Sequence, residues 1–420
     1  MQLLTNKNIL VAATGSIAVY KTLELIRLYV KAGANVKVIL TPSAKKFVTP
    51  LAFETISQNS ILDDTNENWN KNSIDNHIAI GKWADIFVIA PATANTINKL
   101  SLGIADNILL ETALAYPRIK LLCPAANTNM INNPITKKSL NSLQDSNFKI
   151  VQSQVKELAC RDVGNGAMAD IEDIYHHTLK ELLMDSYWLN RNVVLTGGGT
   201  IEKIDDVRFI SNFSSGKMAT NLATALYYSG ANVSFITTQH LDVPKDIHTI
   251  DIQNTNDMFE YTQSSIQIAK KGKMINSSDT EEMELIQKKP YFFSVAAVSD
   301  YVPSESQNGK LKKSEIGENW NLQLHKNIDI LNSIDKEGIY AIGFKAELDS
   351  SVAKTNAVNM LHTKNIDAVC LNIINNDNSF GSNTNEIELI TQNANIKLDK
   401  DTKLNVSFNI LNQLKEQFSE

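Results

Sequence analysis

The chain has 420 residues, of which 43% are hydrophobic and 20% charged, and a formal net charge of −6. That length predicts two domains, each long enough to bury its own core, and the negative balance argues against nucleic-acid partners or an anionic membrane surface. No apolar run approaches the roughly 20 residues that span a bilayer, and three cysteines without CxxC spacing (Cys123, Cys160, Cys370) predict neither a disulfide framework nor a zinc site but a reducing cytoplasm.

Met1–Lys7 is too short to serve as a signal peptide before the first apolar run. That run, Ile9 to Ala13 followed by Thr14-Gly15, predicts a strand over 8–13. A helix from about Ser16 to Lys31 follows, then GANVKVILT at 33–41 with a strand over 36–40. A helix near 43–57 and a polar loop at 63–76 come next. Two apolar runs stopped by proline, 86–90 and 119–123, read as buried parallel strands. An amphipathic stretch at 171–189 closes this half. A second start, Val193-Val194-Leu195-Thr196 and three glycines, leads to GANVSFITT at 230–238. Further strands are expected at 292–296, 339–343 and 368–372, with a terminal hairpin in 386–411. The whole reads as α/β, with two doubly wound Rossmann-like domains at 1–188 and 189–420. Residues 270–289 are charged and polar, and read as a surface excursion.

The dinucleotide fingerprint GxGxxG is absent at Gly15, where Gly15-Ser16-Ile17-Ala18 stands instead. Glycine and serine at a helix start still suit a phosphate-bearing ligand. Thr41 and Ser43 follow the second strand, and Pro91-Ala92-Thr93-Ala94-Asn95 the third, with Gly103-Ile104-Ala105-Asp106-Asn107 beyond. Small residues and hydroxyls at strand ends suit a flat ring. His77 begins HIAIGKWAD, Asn127 lies just past a strand end, and Cys160 sits in ACRDVGNG, which predicts an exposed loop.

In this order, GSIAxYK, HIxxGKWAD, PATAN, GxADN, PxxN and ACxDxGxG resemble the flavin-dependent cysteine decarboxylases, specifically the phosphopantothenoylcysteine decarboxylase family, over about residues 8–175. The resemblance implies a flavoprotein fold that binds FMN through Gly15, Ser16, Thr41, Ser43, Thr93, Asn95, Ala105 and Asn107. It also implies oxidation of a cysteine thiol to a thioaldehyde, loss of the carboxylate, then reprotonation and reduction. His77 would be the base, Asn127 would hold the substrate carboxylate and Cys160 would donate a proton. Ala126 and Ile131 stand where that family has methionine and tryptophan, and Ala167 where it has arginine.

In the second half, TGGGTIEKIDDVRFISNFSSGKM spans 196–218. A Walker P-loop would need glycine at 211 and Ser or Thr at 218, and Ser211 and Met218 exclude it. Arg208, Asn212, Ser214 and Ser215 remain as an anion-suited set. Asp300 follows a strand and suits Mg2+ or a nucleotide hydroxyl. Lys310, Lys312 and Lys313 lie in a Gly-rich stretch whose commoner meaning is a solvated basic face. VRxISNxSSGKM, AAVxDY, KxKK, KNxDI and GFxAE are similar to the phosphopantothenate–cysteine ligase family over about 192–411. Gly199 replaces that family's proline.

This resemblance implies a CTP-dependent ligase in which the carboxylate of 4′-phosphopantothenate attacks CTP, and cysteine then displaces CMP from the acyl-cytidylate. Asn212 and Arg208 would handle the acyl intermediate, with Lys310 as a further catalytic residue. CTP would lie against Ser294, Val295, Ala296, Asp300, Lys310, His325, Lys326, Asn327, Ile328, Phe344 and Lys364, with Mg2+ at Asp300. Together the halves imply consecutive steps of coenzyme A synthesis in a homo-oligomer that combines decarboxylase trimers with ligase dimers. Two rivals are a nicotinamide-dependent oxidoreductase, disfavoured by the missing fingerprint, and a flavin-fold binding protein without catalysis, disfavoured by His77, Asn127 and Cys160.

Overall fold

A computed structural model describes residues 2–70, 73–157, 163–239, 242–276, 283–312, 318–375 and 381–418. The chain divides into two units, Met1–Leu183 and Met184–Glu420.

The first unit is built on five parallel strands: β1 (Asn8–Ala13), β2 (Asn35–Leu40), β3 (Ile86–Ala92), β4 (Lys120–Pro124) and β5 (Phe148–Ile150). Their order is β2-β1-β3-β4-β5. Every residue of β3 and β4 is buried, which is why both appear in the sequence as unbroken apolar runs. Helices Val19–Lys31, Pro50–Ser57, His77–Trp83, Ala94–Ser101, Ile108–Ala115, Pro134–Gln144 and Ile171–Leu183 are the longer ones joining or flanking these strands. The expected helix at 43–57 is in fact a 3-10 turn at Ala44–Lys46 and a helix that starts at Pro50, because proline is favoured in the first helical turn and not within one. A hairpin of β6 (Gln154–Glu157) and β7 (Val163–Ala167) follows β5.

The second unit holds β8 (Asn192–Gly197), β9 (Glu202–Lys203), β10 (Phe209–Ile210), β11 (Asn232–Thr237), β12 (His248–Asp251), β13 (Lys273–Asn276), β14 (Met283–Ile286), β15 (Tyr291–Ser294), β16 (Tyr301–Pro303), β17 (Leu324–Lys326), β18 (Tyr340–Glu347), β19 (Ala368–Ile373), β20 (Thr384–Thr391) and β21 (Asn395–Thr402). Its main sheet runs β12-β11-β8-β15-β18-β19-β20-β21, parallel as far as β19 and antiparallel beyond. β9 and β10 form a short ribbon of their own, as do β16 with β17 and β13 with β14. The last ribbon occupies the expected excursion at 270–289. The terminal hairpin exists as β20 and β21, but it ends at Thr402, and a helix, Lys403–Gln417, follows. Val406, Ile410, Leu411 and Leu414 are its buried face.

In both sheets the winding reverses once, between β1 and β3 and between β8 and β15. A crevice opens at the carboxyl ends of the strands where neighbouring connections leave to opposite faces.

The boundary falls after Leu183 and not between 188 and 189, because Asp185, Tyr187 and Trp188 pack with the second unit. Trp188 is buried with its ring 4.8 Å from that of Tyr291, Tyr187 Oη lies 2.6 Å from Tyr291 Oη, and Asp185 accepts from Lys415 Nζ at 2.5 Å. A chain beginning at residue 189 is therefore expected to lose about 3–5 kcal/mol against one beginning at 184, read from urea unfolding of the two.

Candidate active sites

The first crevice is assembled from strand ends. Thr14 Oγ1 donates to the Pro91 carbonyl (2.7 Å) and accepts from Thr93 N–H (3.0 Å), which ties β1 to β3. Thr41 donates to the Ala13 carbonyl from its N–H (3.2 Å) and hydroxyl (3.3 Å), which ties β2 to β1. Gly15 is required between them, since a Cβ there would lie 2.4 Å from Ser43 Cβ. Gly15, Ser16, Thr41, Ser43 and Thr93 thus come together as small groups at one end of the sheet. Thr93 caps helix Ala94–Ser101, whose second residue, Asn95, is exposed. Ala105 is exposed, and Asn107 caps the next helix by accepting from Leu110 N–H at 3.1 Å. Lys99 on the Asn95 helix pairs with Asp106 at 2.5 Å.

Asn127 follows β4 and caps helix Thr128–Asn132 by accepting from Asn129 N–H at 2.9 Å. It lines a cleft with Ser16, Ala18, Tyr20, Lys21, Glu157 and Gly166. The β6–β7 hairpin is pressed against this loop. Ala126 N–H donates to the Gly166 carbonyl at 3.0 Å, and a Cβ on Gly166 would stand 1.8 Å from the Ala126 oxygen. Residues 158–162, with Cys160, lie outside the described residues.

His77 opens helix His77–Trp83, which Asn76 caps by accepting from Ala79 N–H at 2.8 Å. Its Nδ1 is 2.8 Å from Glu67 Oε1, an atom that also accepts the His77 N–H at 3.2 Å. Burial pushes the Glu67 carboxyl up, but its hydrogen bonds with His77 outweigh that and lower it. An ionised carboxylate only accepts, so Nδ1 carries the proton and Nε2 is left as the proton acceptor. Trp69 meets the imidazole edge-on at 5.2 Å, and Glu111 lies 3.6 Å away. Among the described residues, Glu67, His77 and Glu111 are the one group of three with metal-ligand spacing. Among the described residues, His77 does not line the Asn127 cleft, so the residues expected as base and carboxylate holder do not share that wall.

In the second unit one cavity is lined by Ser294, Ala296, Asp300, Lys326, Asn327, Ile328, Phe344 and Lys364. These are residues that the sequence reading assigned to one nucleotide. An adjoining cavity shares Ala296 and Phe344 with it and adds Gly198, Val295, Ser214, Ser215 and Lys217. His325 and Lys310 line neither. Asn327 donates to Thr255 Oγ1 (2.8 Å) and to the Ser299 carbonyl (2.7 Å), and its Oδ1 accepts from Ile328 N–H (2.8 Å). Its amide therefore holds the cavity wall in place. Thr255 Oγ1 donates in turn to buried Glu202 Oε1 at 2.6 Å and lies 3.3 Å from Thr200 Oγ1. Lys364 pairs with Asp329 at 3.0 Å. Asp300 is exposed and lines the same cavity.

Asn212 donates to the Val298 carbonyl at 2.9 Å, which joins the loop after β10 to the loop after β15. Arg208 spends Nε and Nη2 on Asp205 (2.9 and 2.5 Å) and Nη2 also on the Leu311 carbonyl (2.8 Å). Lys217, in the segment that tempted a phosphate-loop reading, donates to the Gly381 carbonyl and to Asn383 Oδ1, both at 2.8 Å. Lys403 grips the same loop through the Ser382 and Thr384 carbonyls, and its burial pushes its pKa down. Sequence reasoning missed Glu67, Asp205 and Lys403. Asp205 alone left a signal, an acid three residues before an arginine.

The Flavoprotein family model matches residues 2–183, and that of the DNA/pantothenate metabolism flavoprotein C-terminal domain matches 188–276 and 271–418. The chain is 33% identical to the coenzyme A biosynthesis bifunctional protein CoaBC of Haemophilus influenzae, covering 99% of both chains. It is 34% identical to the CoaBC of Bacillus subtilis over 98% of this chain and 97% of that one. A solved PPC decarboxylase mutant complexed with pantothenoylaminoethenethiol is 35% identical over 41% of this chain and 96% of its own, with a TM-score of 0.38. With relatives of that identity matched along nearly its whole length, the chain belongs to the CoaBC family of two-domain flavoproteins.

Proposed function

We propose that the chain carries out two consecutive steps of coenzyme A synthesis: CTP-dependent ligation of 4′-phosphopantothenate to cysteine in the second unit, then FMN-dependent decarboxylation of phosphopantothenoylcysteine to 4′-phosphopantetheine in the first. The carrying observation is that Ser294, Ala296, Asp300, Lys326, Asn327, Ile328, Phe344 and Lys364, spread over 71 positions (294 to 364), line one cavity at the carboxyl end of the sheet.

The residues present fit a flavin. Gly15 admits no Cβ, and the strand ends around it offer small groups and hydroxyls, a surface on which a flat ring and a phosphate can lie. FMN held there supplies two-electron redox chemistry at the substrate thiol, which prepares the neighbouring carbon to release CO2. His77 takes a proton at Nε2 while Glu67 fixes the ring by Nδ1. Asn127, fixed at a helix start, holds the leaving carboxylate. Cys160 donates the proton that replaces it.

In the second unit the phosphopantothenate carboxylate attacks the α-phosphorus of CTP and releases pyrophosphate, and the cysteine amine then displaces CMP. Lys310, Lys326 and Lys364 offset the charge that builds on the phosphates. Asp300 offers Mg2+ one carboxylate, with the nucleotide supplying further oxygens. Asn212, bonded to Val298, faces the acyl intermediate.

A single chain leaves His77 outside the Asn127 cleft, and Leu51, Leu102, Leu114 and Ile135 of the first unit are each more than 60% exposed. Both observations favour a homo-oligomer whose flavin sites form between copies, by the pairing of trimeric decarboxylase and dimeric ligase units. No helix among the described residues is long and apolar enough to cross a membrane, which suits a cytoplasmic enzyme.

Incubation with phosphopantothenate, cysteine and CTP is expected to give 4′-phosphopantetheine by mass spectrometry, with ATP giving far less; no product with either nucleotide would sink the proposal. Cys160→Ser should leave pyrophosphate release unchanged and lower 4′-phosphopantetheine by about 100-fold or more, with the decarboxylated, unreduced enethiol accumulating in its place. Light scattering should return a mass well above that of one chain, and a monomer with full decarboxylase activity would refute the shared-site arrangement.

A further inference from the structure

The turn Asp205–Arg208 holds the lysine segment on both sides of Lys310. On one side, Leu311 N–H donates to Asp205 Oδ2 (3.2 Å), and the Leu311 carbonyl accepts from Arg208 Nη2 (2.8 Å). On the other, Gly309 N–H donates to Asp206 Oδ2 (2.8 Å), and its carbonyl accepts from Asp206 N–H (3.4 Å). The Arg208 guanidinium also lies over the Trp320 ring, 4.7 Å from its centre.

Asp205 bears most of these contacts. Its side chain has no exposed surface. Oδ1 accepts from the N–H groups of Val207 (2.8 Å) and Arg208 (2.7 Å), while Oδ2 takes Arg208 Nε and Nη2 together with Leu311 N–H. Burial pushes the carboxyl up, but Arg208 and the backbone N–H groups outweigh it and hold it well below the usual carboxylate range. A buried carboxylate that already accepts five hydrogen bonds has no capacity left for a substrate. The chain then runs from this turn through β10, paired with β9, to Asn212. One carboxylate therefore fixes the backbone on which both Lys310 and Asn212 are carried.

We propose that Asp205 is a positioning residue for the ligation step: it clips the Lys310 segment to the turn that leads into Asn212, so that lysine and amide reach the nucleotide as one preset pair. The proposal rests on reading the second unit as the ligase. Lys310 is exposed and its stretch contains Gly309 at φ +81°; without the clip the segment would have to be ordered anew in each turnover.

The test uses the full chain and follows pyrophosphate release from CTP with phosphopantothenate and cysteine. Asp205→Asn is expected to lower kcat about 10- to 100-fold while the KM for CTP stays within about threefold. Amide hydrogen exchange should rise at 309–312 and not in β8 or β15. In a Lys310→Ala background the same substitution should cost clearly less than it does with Lys310 present, leaving only the share that acts through Asn212. Should Asp205→Asn not fold, Asp206→Ala removes the carboxylate that accepts from Gly309 N–H and should raise exchange at Gly309 and lower kcat only when Lys310 is present. Unchanged kcat in a folded variant, an equal loss in both backgrounds, or unchanged exchange at 309–312 would overturn the clip. Where Lys310→Ala turnover is too slow to follow, the exchange result decides. A wild-type chain that does not ligate at all overturns the reading of the site, and this role with it, whereas ligation at the undiminished wild-type rate in Asp205→Asn overturns the clip alone.

Discussion

Parallel strands all point one way, so each connection must travel back across a face of the sheet, and where successive connections take opposite faces the loops part. That parting happens once in each unit, at β1/β3 and at β8/β15. The strands around it are sealed: β3 and β4 are buried throughout, and a polar residue within them, such as Lys120, must satisfy itself locally by donating to the Tyr116 carbonyl at 2.9 Å. Reactive groups cannot be carried by such strands. They fall to the loops just past the strand ends, where backbone is fixed on one side and open on the other.

The two units furnish this shared opening in opposite ways. The first does it by subtraction, with Gly15 yielding to Ser43 and Gly166 to the Ala126 carbonyl, so that loops lie against each other without intervening side chains. The second does it by neutralisation. Asp205 answers Arg208, Asp329 answers Lys364, and Glu202 is met by Thr255. In the buried part of this array each group is costly if left alone and stiff once paired. The wall of the cavity past β15 is therefore preset, with Asn327 fixed by its own amide contacts.

What could be read in the sequence follows from what local residues decide. Fully buried strands write themselves as continuous apolar runs, so 86–90, 119–123 and 193–196 were legible. The helix at 403–417 was not. Leu404, Val406, Phe408 and Ile410 alternate with polar residues as a strand would, and only packing selects the helical face of Val406, Ile410, Leu411 and Leu414. Motif order picked out Ser294, Asp300, Asn327, Phe344 and Lys364, which the fold sets around one cavity. Partners set by tertiary approach were hidden. Glu67 is one polar residue in an Asn-rich loop until the fold brings it to His77, and nothing near Lys217 in the chain announces Gly381 and Asn383 as its partners.

The β13–β14 ribbon leaves the second unit between helix Thr255–Ala269 and the start of β15. Ser294, Ala296 and Asp300 stand at the other end of that same strand and beyond it. The matching segments of the C-terminal family model meet at this ribbon, at 276 and 271. Length added there is separated from the chemistry by the full span of a buried strand, and closing a somewhat longer surface loop costs little. The ribbon is thus a place where lineages can lengthen, shorten or rewrite the chain while selection on the cavity stays blind to the change.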